Sequence, residues 1–227
     1  MSCWADLTRD RLLADVSLWS ADLANLEDSI QRVEPFADSY HIDVFDDRFV
    51  PGLLFFPDLV RALRPLTPKP FHVHLAAEKP SRLIENFAAS GADVLTIHAE
   101  LEEAEVERSL AQIRDLGREA GVALLLETPV ASVIPYIEDI ALVLLLDTKA
   151  GVKGVDLAPE ALTRISELDA LLRERGMRSR VRLEADGAIR RHTVPLLRQA
   201  GADVIVPGSL FFGAEDLGLL AASLRGL

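Results

Sequence analysis

Cysteine is almost absent from this chain. Its 227 residues include one, Cys3, so no internal disulfide can form. The first residues also lack a basic segment followed by an apolar run, which a secretory signal would have. We therefore expect a cytoplasmic protein.

Positive charge is scarce, and long apolar runs are missing. The formal net charge is -12, which argues against nucleic acid or an anionic membrane as a partner, because a phosphate backbone requires a basic face. The most apolar stretch, residues 140–146, is far too short to span a bilayer. Any anionic substrate must therefore be bound by local contacts.

What the chain does have is a regular alternation of apolar runs and amphipathic segments. We predict eight strands, at residues 12–19, 40–45, 71–75, 94–98, 123–127, 142–146, 181–184 and 204–207. Helical patterns follow them, for example at residues 21–33, 80–89, 102–120, 159–175 and 193–200. The strand runs are continuously apolar, as expected of a parallel sheet covered on both faces. With 49% hydrophobic residues, the chain can bury the core of one domain over residues 1–227.

A short sequence that occurs twice in the chain favours closure of these units into a ring. Residues 90–94 read Ser-Gly-Ala-Asp-Val, residues 200–204 read Ala-Gly-Ala-Asp-Val, and both join a helix end to a strand four units apart. Gly91 and Gly201 suit the left-handed residue that ends a helix. No Gly-x-Gly-x-x-Gly motif follows the first strand, which disfavours an open dinucleotide-binding sheet. We predict an α/β fold, a single-domain (β/α)8 TIM barrel.

In such a barrel the working residues sit where the strands end. His41 and Asp43 close the second predicted strand, His74 the third and Asp186 the seventh. Side chains alternate along a strand with period 2, so His41 and Asp43 face the same way. Two imidazoles and two carboxylates predict a divalent metal site that suits Zn²⁺, while Mn²⁺, Fe²⁺ or Co²⁺ would also fit.

The other histidines receive simpler interpretations. His72 lies one pleat deeper than His74 and is predicted to be a hydrogen-bonded core residue. His98 is interpreted in the same way. His192 stands at a predicted helix start and is expected on the surface.

Several segments resemble the ribulose-phosphate 3-epimerase family in order and spacing, from about Ala14 to Gly213. They are Ser17-Leu18-Trp19-Ser20-Ala21-Asp22-Leu23, His41-Ile42-Asp43-Val44-Phe45-Asp46 with Phe49-Val50-Pro51, His72-Val73-His74-Leu75 with Glu78-Lys79-Pro80, and Asp186-Gly187 followed by Pro207-Gly208-Ser209. The resemblance implies a ribulose-phosphate-binding barrel that depends on a metal and inverts C3 of a ketopentose phosphate in pentose phosphate metabolism.

Inversion beside a ketone requires one group to remove a proton from one face and another to return a proton to the opposite face. Asp43 and Asp186 are the candidates for this pair. A cation held by His41, Asp43, His74 and Asp186 would stabilise the enediolate between the two transfers. The resemblance further implies that Ser17 contacts the substrate near the reacting carbons.

Three predicted glycine-containing loops follow the last three strands and are candidates for the phosphate site. Backbone N–H groups in such turns bind phosphate without a basic surface. The predicted substrate-binding residues are Ser17, His74, Gly151, Val152, Lys153, Gly154, Gly187, Ala188, Gly208 and Ser209. Lys153 is interpreted equally well as a direct phosphate contact or as a solvated loop lysine.

Departures from the family pattern bear on the substrate. Phe45, Ala76 and Leu146 replace the usual pocket methionines, and Lys149-Ala150-Gly151-Val152-Lys153-Gly154-Val155 replaces Asn-Pro-Gly-Phe-Gly-Gly-Gln. Ala188 replaces a second glycine, which restricts the backbone. Asp47-Arg48 replaces a typical Gly-His, and these two residues belong either to a lid or to a simple loop. A related tetrulose, hexulose or modified sugar phosphate is therefore an alternative substrate.

Other classes of function are less well supported. A metal-free decarboxylase or aldolase of the same barrel type would need a lysine between carboxylates on an early strand, and residues 40–45 and 71–75 have none. A metal-dependent hydrolase could use the same ligands but has no need of a second flanking acid. A non-catalytic sugar-phosphate binder is compatible with the altered loops. The sequence leaves a homo-oligomer open.

Overall fold

Parallel strands close into a barrel in the computed structural model, which describes residues 4–227; Cys3 lies outside the described residues. The strands are β1 (Leu13–Ser17), β2 (Ser39–Asp46), β3 (Leu53–Leu54), β4 (Phe71–Ala76), β5 (Val94–His98), β6 (Glu119–Leu124), β7 (Leu142–Leu146), β8 (Arg182–Asp186) and β9 (Val204–Ile205). β1 pairs in parallel with both β2 and β9, which closes the ring, while β3 pairs antiparallel with the end of β2. Within residues 4–227 the parallel strands number eight, and the predicted (β/α)8 barrel is confirmed.

Helices cover the outside of the barrel. They are α1 (Leu26–Val33), α2 (Pro57–Leu63), α3 (Ile84–Ala89), α4 (Glu103–Asp115), α5 (Ala161–Glu174), α6 (Val194–Ala200), α7 (Ser209–Phe212) and α8 (Leu217–Arg225), with a 3-10 helix at Val130–Tyr136 between β6 and β7. Each longer helix turns apolar residues such as Ile30 and Leu168 towards the strands, where both are fully buried. Among the helices of residues 4–227, none is long and apolar enough to cross a membrane.

The bottom of the barrel is filled by apolar side chains. Trp4 packs there with Leu13, Val94, Leu142 and Val204, and all five are at most 1% exposed. This apolar cluster, with Arg182 of β8 beside Trp4, therefore fills the N-terminal end of the barrel, and Asp43, His74 and Asp186 lie towards the opposite end.

Two of the predicted strands agree with the structure at both ends. Residues 94–98 and 142–146 have the predicted bounds. The prediction of residues 123–127 is wrong by about four positions, because β6 begins at Glu119. The helix predicted at residues 102–120 overruns for the same reason, since α4 ends at Asp115 and Gly117 follows with a φ of 66°.

The repeated Gly-Ala-Asp-Val sequence has a structural role at the N-terminal ends of two strands. Asp93 accepts a hydrogen bond from the backbone N–H of Phe71 at 2.8 Å, and Asp203 accepts one from Leu183 at 2.9 Å. Each aspartate thus ties its own strand to a neighbouring one. The glycines before them, Gly91 and Gly201, have positive φ angles of 104° and 123°, as predicted for helix ends.

Candidate active site

A cavity of about 340 Å³ opens at the C-terminal end of the barrel. Asp43, His74 and Asp186 line its floor together with Ser17. A cavity of this size suits a small metabolite rather than a polymer. It lies at the end of the barrel where barrel enzymes place their chemistry.

The four predicted metal ligands come together in this cavity floor. His41, Asp43, His74 and Asp186 each offer one ligand atom, and these atoms all lie within 4.8 Å of one another. Strand register brings them together, because Asp43 of β2 stands opposite His74 of β4. His41 Nε2 is 3.1 Å and His74 Nδ1 is 3.3 Å from Asp43 Oδ1. Two imidazole nitrogens and two carboxylates form a donor set that fits a divalent cation.

The two carboxylates of this set differ in their affinity for protons. Burial alone would raise the pKa of Asp43, but the charge and hydrogen bonds of His41 and His74 outweigh it and lower that pKa below its usual range. Burial, aided by the negative charges of Asp43 and Asp15 against the opposing effect of His41, raises the pKa of Asp186 to about 7. Two carboxylates whose environments separate their pKa values are typical of paired acid and base groups.

The imidazoles of the set are also perturbed in opposite directions. Burial lowers the pKa of His74 to about 3 despite its hydrogen bond to Asp43. Burial acts in the same direction on His41, but Asp43 and Asp15 on either side of its ring raise its pKa well above the usual value. A neutral imidazole is the form that ligates a metal, and a bound cation would itself favour that form.

A second polar layer lies directly beneath the ligand set. Asp15 Oδ2 is 3.1 Å from His41 Nδ1 and 2.8 Å from His72 Nδ1, and Ser39 donates to Asp15 Oδ1 at 2.6 Å. His72 Nε2 contacts the hydroxyl of Thr96 at 2.7 Å. His72 is thus a hydrogen-bonded core residue, as predicted. This layer holds the ring of His41 in place from below.

Glu184 completes this lower layer. It is fully buried, and its carboxyl lies 3.3 Å from His72 Nδ1. Burial raises its pKa well above the usual value, and the nearby charge of Asp15 acts in the same direction. The raised pKa favours the neutral form of Glu184, which limits the negative charge enclosed at the barrel centre.

The three glycine-containing loops predicted for phosphate all reach the cavity. Gly151, Gly187 and Gly208 line its wall, together with the other residues predicted for these loops: Val152, Lys153, Gly154, Ala188 and Ser209. A Cβ at Gly208 would lie 2.3 Å from Ser20 Oγ, and one at Gly187 would lie 2.5 Å from Thr148 Oγ1. These two glycines are required by close approach of neighbouring side chains.

Ala188 adopts the left-handed conformation, with a φ of 51°. Alanine takes this conformation at a cost of about 1–2 kcal/mol relative to right-handed backbone. The loop therefore keeps, with alanine, a backbone shape that glycine would adopt freely.

Lys153 is held against Trp19 at the edge of the cavity. Its ammonium group donates to the carbonyl oxygen of Trp19 at 2.6 Å and lies 4.3 Å from the centre of the indole ring. Lys153 is exposed but not freely solvated, so it can turn its charge towards the cavity only by giving up these contacts.

The segment after β2 contributes Val50 to the cavity wall. Asp47 has a φ of 59° and accepts a hydrogen bond from the N–H of Gly52 at 2.7 Å, which closes a turn. Val50 of this turn reaches across to the Gly151 loop, where a Cβ would lie 2.5 Å from Val50 Cγ1. Asp47 therefore closes a turn whose Val50 lines the cavity.

A sequence model of the ribulose-phosphate 3 epimerase family matches residues 13–212. The ribulose-phosphate 3-epimerase of Bacillus subtilis is 38% identical over 211 residues, which cover 92% of this chain and 96% of that relative. The enzyme of the same name from Treponema pallidum is 37% identical over 211 residues, covering 92% and 95%. The chain belongs to the ribulose-phosphate 3-epimerase family.

Membership confirms the predicted resemblance and places the chain among the carbohydrate epimerases. Among solved structures, the 3-keto-L-gulonate-6-phosphate decarboxylase from Vibrio cholerae superposes with a TM-score of 0.74 over 95% of this chain and 96% of that one. Its sequence identity is 17%, so this likeness shows the barrel fold alone.

Sequence reasoning missed several residues of the site. Asp15 and Arg190 were not singled out, yet Asp15 contacts His41 and Arg190 lines the cavity. His98 was interpreted as a core residue, but its Nε2 lies 2.9 Å from Nε2 of His74 and its ring also lines the cavity. A signal for His98 was available, because His98-Ala99-Glu100 repeats the spacing of His41-Ile42-Asp43 at a strand end. His192 is exposed, as predicted.

Proposed function

We propose that the protein inverts C3 of a ketose phosphate, converting ribulose 5-phosphate to xylulose 5-phosphate, with Asp43 and Asp186 as the two proton-transferring groups. The observation that carries the proposal is the convergence of these buried carboxylates, from β2 and β8, in one cavity of a chain that belongs to this epimerase family. Inversion needs a base on one face of the carbon and an acid on the other.

The proposed step conserves atoms and electrons. One carboxylate removes the C3 proton, the electron pair of the C–H bond moves into an enediolate, and the other carboxyl group delivers a proton to the opposite face of C3. The two carboxyl groups exchange roles in the reverse direction. Ser17, whose hydroxyl donates to Asp43 Oδ2 at 3.3 Å, is placed to contact the substrate beside the reacting carbon.

His41, Asp43, His74 and Asp186 are the proposed ligands of a divalent cation, with zinc as the first choice and manganese, iron or cobalt as alternatives. When bound, the cation supplies positive charge that stabilises the enediolate and offsets repulsion between the carboxylates. The residues themselves orient the substrate in a nearly dry floor, since all but Asp186 are at most 5% exposed.

The phosphate of the substrate is proposed to bind at the three loops of Gly151, Gly187 and Gly208. Backbone N–H groups there can hold an anion although the whole chain carries a formal net charge of -12. We also propose a cytoplasmic location, which fits the single cysteine of the chain.

A different sugar phosphate is the alternative substrate. Phe45, Ala76 and Leu146, which replace the methionines of the family pattern, all line the cavity. They change the shape of the wall around the sugar without altering the proposed acid and base. A tetrulose or hexulose phosphate would use the same chemistry.

Isotope exchange tests the proposal. The purified protein is incubated with ribulose 5-phosphate in deuterium oxide, and the product is analysed by NMR and mass spectrometry. We expect xylulose 5-phosphate with deuterium at C3, and loss of inversion in Asp43→Asn and Asp186→Asn. If neither inversion nor deuterium uptake occurs with any of a panel of ketose phosphates, the epimerase proposal fails.

A further inference from the structure

The second histidine of the ligand set is one end of a buried chain of polar contacts. His74 Nδ1 faces the ligand set, 3.3 Å from Asp43 Oδ1, and His74 Nε2 lies 2.9 Å from His98 Nε2. The other nitrogen of His98, Nδ1, lies 2.9 Å from Glu100 Oε2. Both rings are at most 2% exposed, so water cannot substitute for these contacts.

Glu100 fixes the direction of this chain. Its Oε1 accepts a hydrogen bond from the backbone N–H of Leu125 at 2.7 Å, which leaves Oε2 facing His98. An ionised carboxylate only accepts hydrogen bonds, so Nδ1 of His98 must carry a proton. In a neutral ring Nε2 of His98 is then the acceptor, and the proton between the two rings belongs to Nε2 of His74. With a cation bound in place of the hydrogen bond between His74 and Asp43, that arrangement would leave a lone pair on Nδ1 of His74, directed at the ligand set.

Asp15 acts on the other histidine in the same way. It faces His41 Nδ1 at 3.1 Å, which keeps a proton there, so that with a cation bound His41 Nε2 would carry the lone pair on the side of Asp43. The two histidines therefore present different ring nitrogens to the site, each one selected by a carboxylate outside the ligand set.

We propose that Glu100, acting through His98, is a positioning residue that selects the tautomer of His74 and so makes its Nδ1 the ligand for the divalent cation. This inference rests on the metal site of the proposed function. Outer carboxylates of this kind fix the tautomer and orientation of a ligating histidine.

The variant Glu100→Gln reverses the chain of hydrogen bonds. The N–H of Leu125 still donates to the side-chain oxygen, now that of glutamine, so the amide NH₂ faces His98 Nδ1. His98 Nδ1 must then accept a hydrogen bond instead of donating one. His98 then donates through Nε2, His74 must accept through Nε2, and the proton of His74 moves to Nδ1. We expect affinity for Zn²⁺ alone to fall roughly 10- to 100-fold. Competition with a chromogenic chelator measures the zinc affinity. The matched control is Glu127→Gln, at an exposed position two residues beyond Leu125.

The tautomers themselves are read by long-range ¹H–¹⁵N NMR of the zinc-loaded protein, whose five histidines give an assignable spectrum. We expect the wild type to carry the His74 proton on Nε2 and the His98 proton on Nδ1, and Glu100→Gln to carry the His98 proton on Nε2. A wild-type His74 protonated on Nδ1 would overturn the inference even if the variant did not fold. Unchanged zinc affinity in a folded Glu100→Gln protein would also overturn it. A wild type that binds zinc with the expected tautomers but inverts no ketose phosphate would instead refute the proposed function and leave this inference standing.

Discussion

Asp203 provides a quantitative test of how the barrel is held together at its strand entrances. Its carboxylate accepts the backbone N–H of Leu183 at 2.9 Å and two hydrogen bonds from Arg178, at 2.6 and 2.8 Å. Replacement by alanine leaves the buried N–H of Leu183 without a partner, which costs about 1–3 kcal/mol. It also removes the charged hydrogen bonds of Arg178, worth about 1.5–3 kcal/mol.

Part of the second contribution is retained, because Arg178 still pairs with Asp169 at 2.5 Å and donates to the carbonyl oxygen of Gly201 at 2.9 Å. We therefore expect Asp203→Ala to lower the free energy of unfolding by about 3–4 kcal/mol. For a domain of this size that corresponds to a fall in Tm of roughly 10 °C.

Asp203→Asn separates the two contributions. The amide oxygen of asparagine can still accept the Leu183 N–H, so we expect a loss of about 1–2 kcal/mol from the weakened contact with Arg178 alone. Urea unfolding followed by circular dichroism measures both variants. Equal destabilisation by alanine and asparagine would refute the argument that the backbone contact matters. A loss below about 1 kcal/mol for alanine would refute the whole estimate.

Three further predictions concern the site. Wild-type protein purified without added metal should carry roughly one divalent ion per chain by elemental analysis, and His74→Ala should lose most of it. Mild acid should weaken metal binding, because the ligands must be deprotonated. Equal metal content in the wild type and His74→Ala would place the metal elsewhere. Lys153→Ala should raise KM for ribulose 5-phosphate roughly tenfold with little change in kcat, as expected for one lost contact to bound substrate. An unchanged KM would show that Lys153 contacts Trp19 and not the substrate. Gly208→Ala should raise KM as well, because its Cβ would lie 2.3 Å from Ser20 Oγ, so that either Ser20 or the Gly208 loop must shift. Wild-type kinetics in this variant would argue against phosphate binding there.

The sequence alone was sufficient to predict the fold and the four residues that converge at the cavity floor. Unbroken apolar runs such as residues 142–146 define strands covered on both faces. The alternation of side chains along a strand places His41 and Asp43 on one face whatever surrounds them. Polar residues at strand ends then point to one end of a closed barrel.

The first residue of β6 is determined by the tertiary structure. The sequence from Glu119 to Gly121 fits a helix end as well as a strand, and the choice is made by pairing: the N–H of Glu119 donates to the carbonyl oxygen of Asp93 at 3.1 Å. Local patterns do not contain this information, because the partner lies 26 residues earlier in the chain.

The outer partners of the ligand set were likewise decided by tertiary structure. Alternation indicates which face a side chain takes, but only strand register determines that Asp43 stands opposite His74 and His74 opposite Thr96. The contacts of His74 with His98, and of Asp15 with His41, depend on ring positions across neighbouring strands. The sequence therefore determines which residues are available to the site, while packing between strands decides which nitrogen of each histidine faces it.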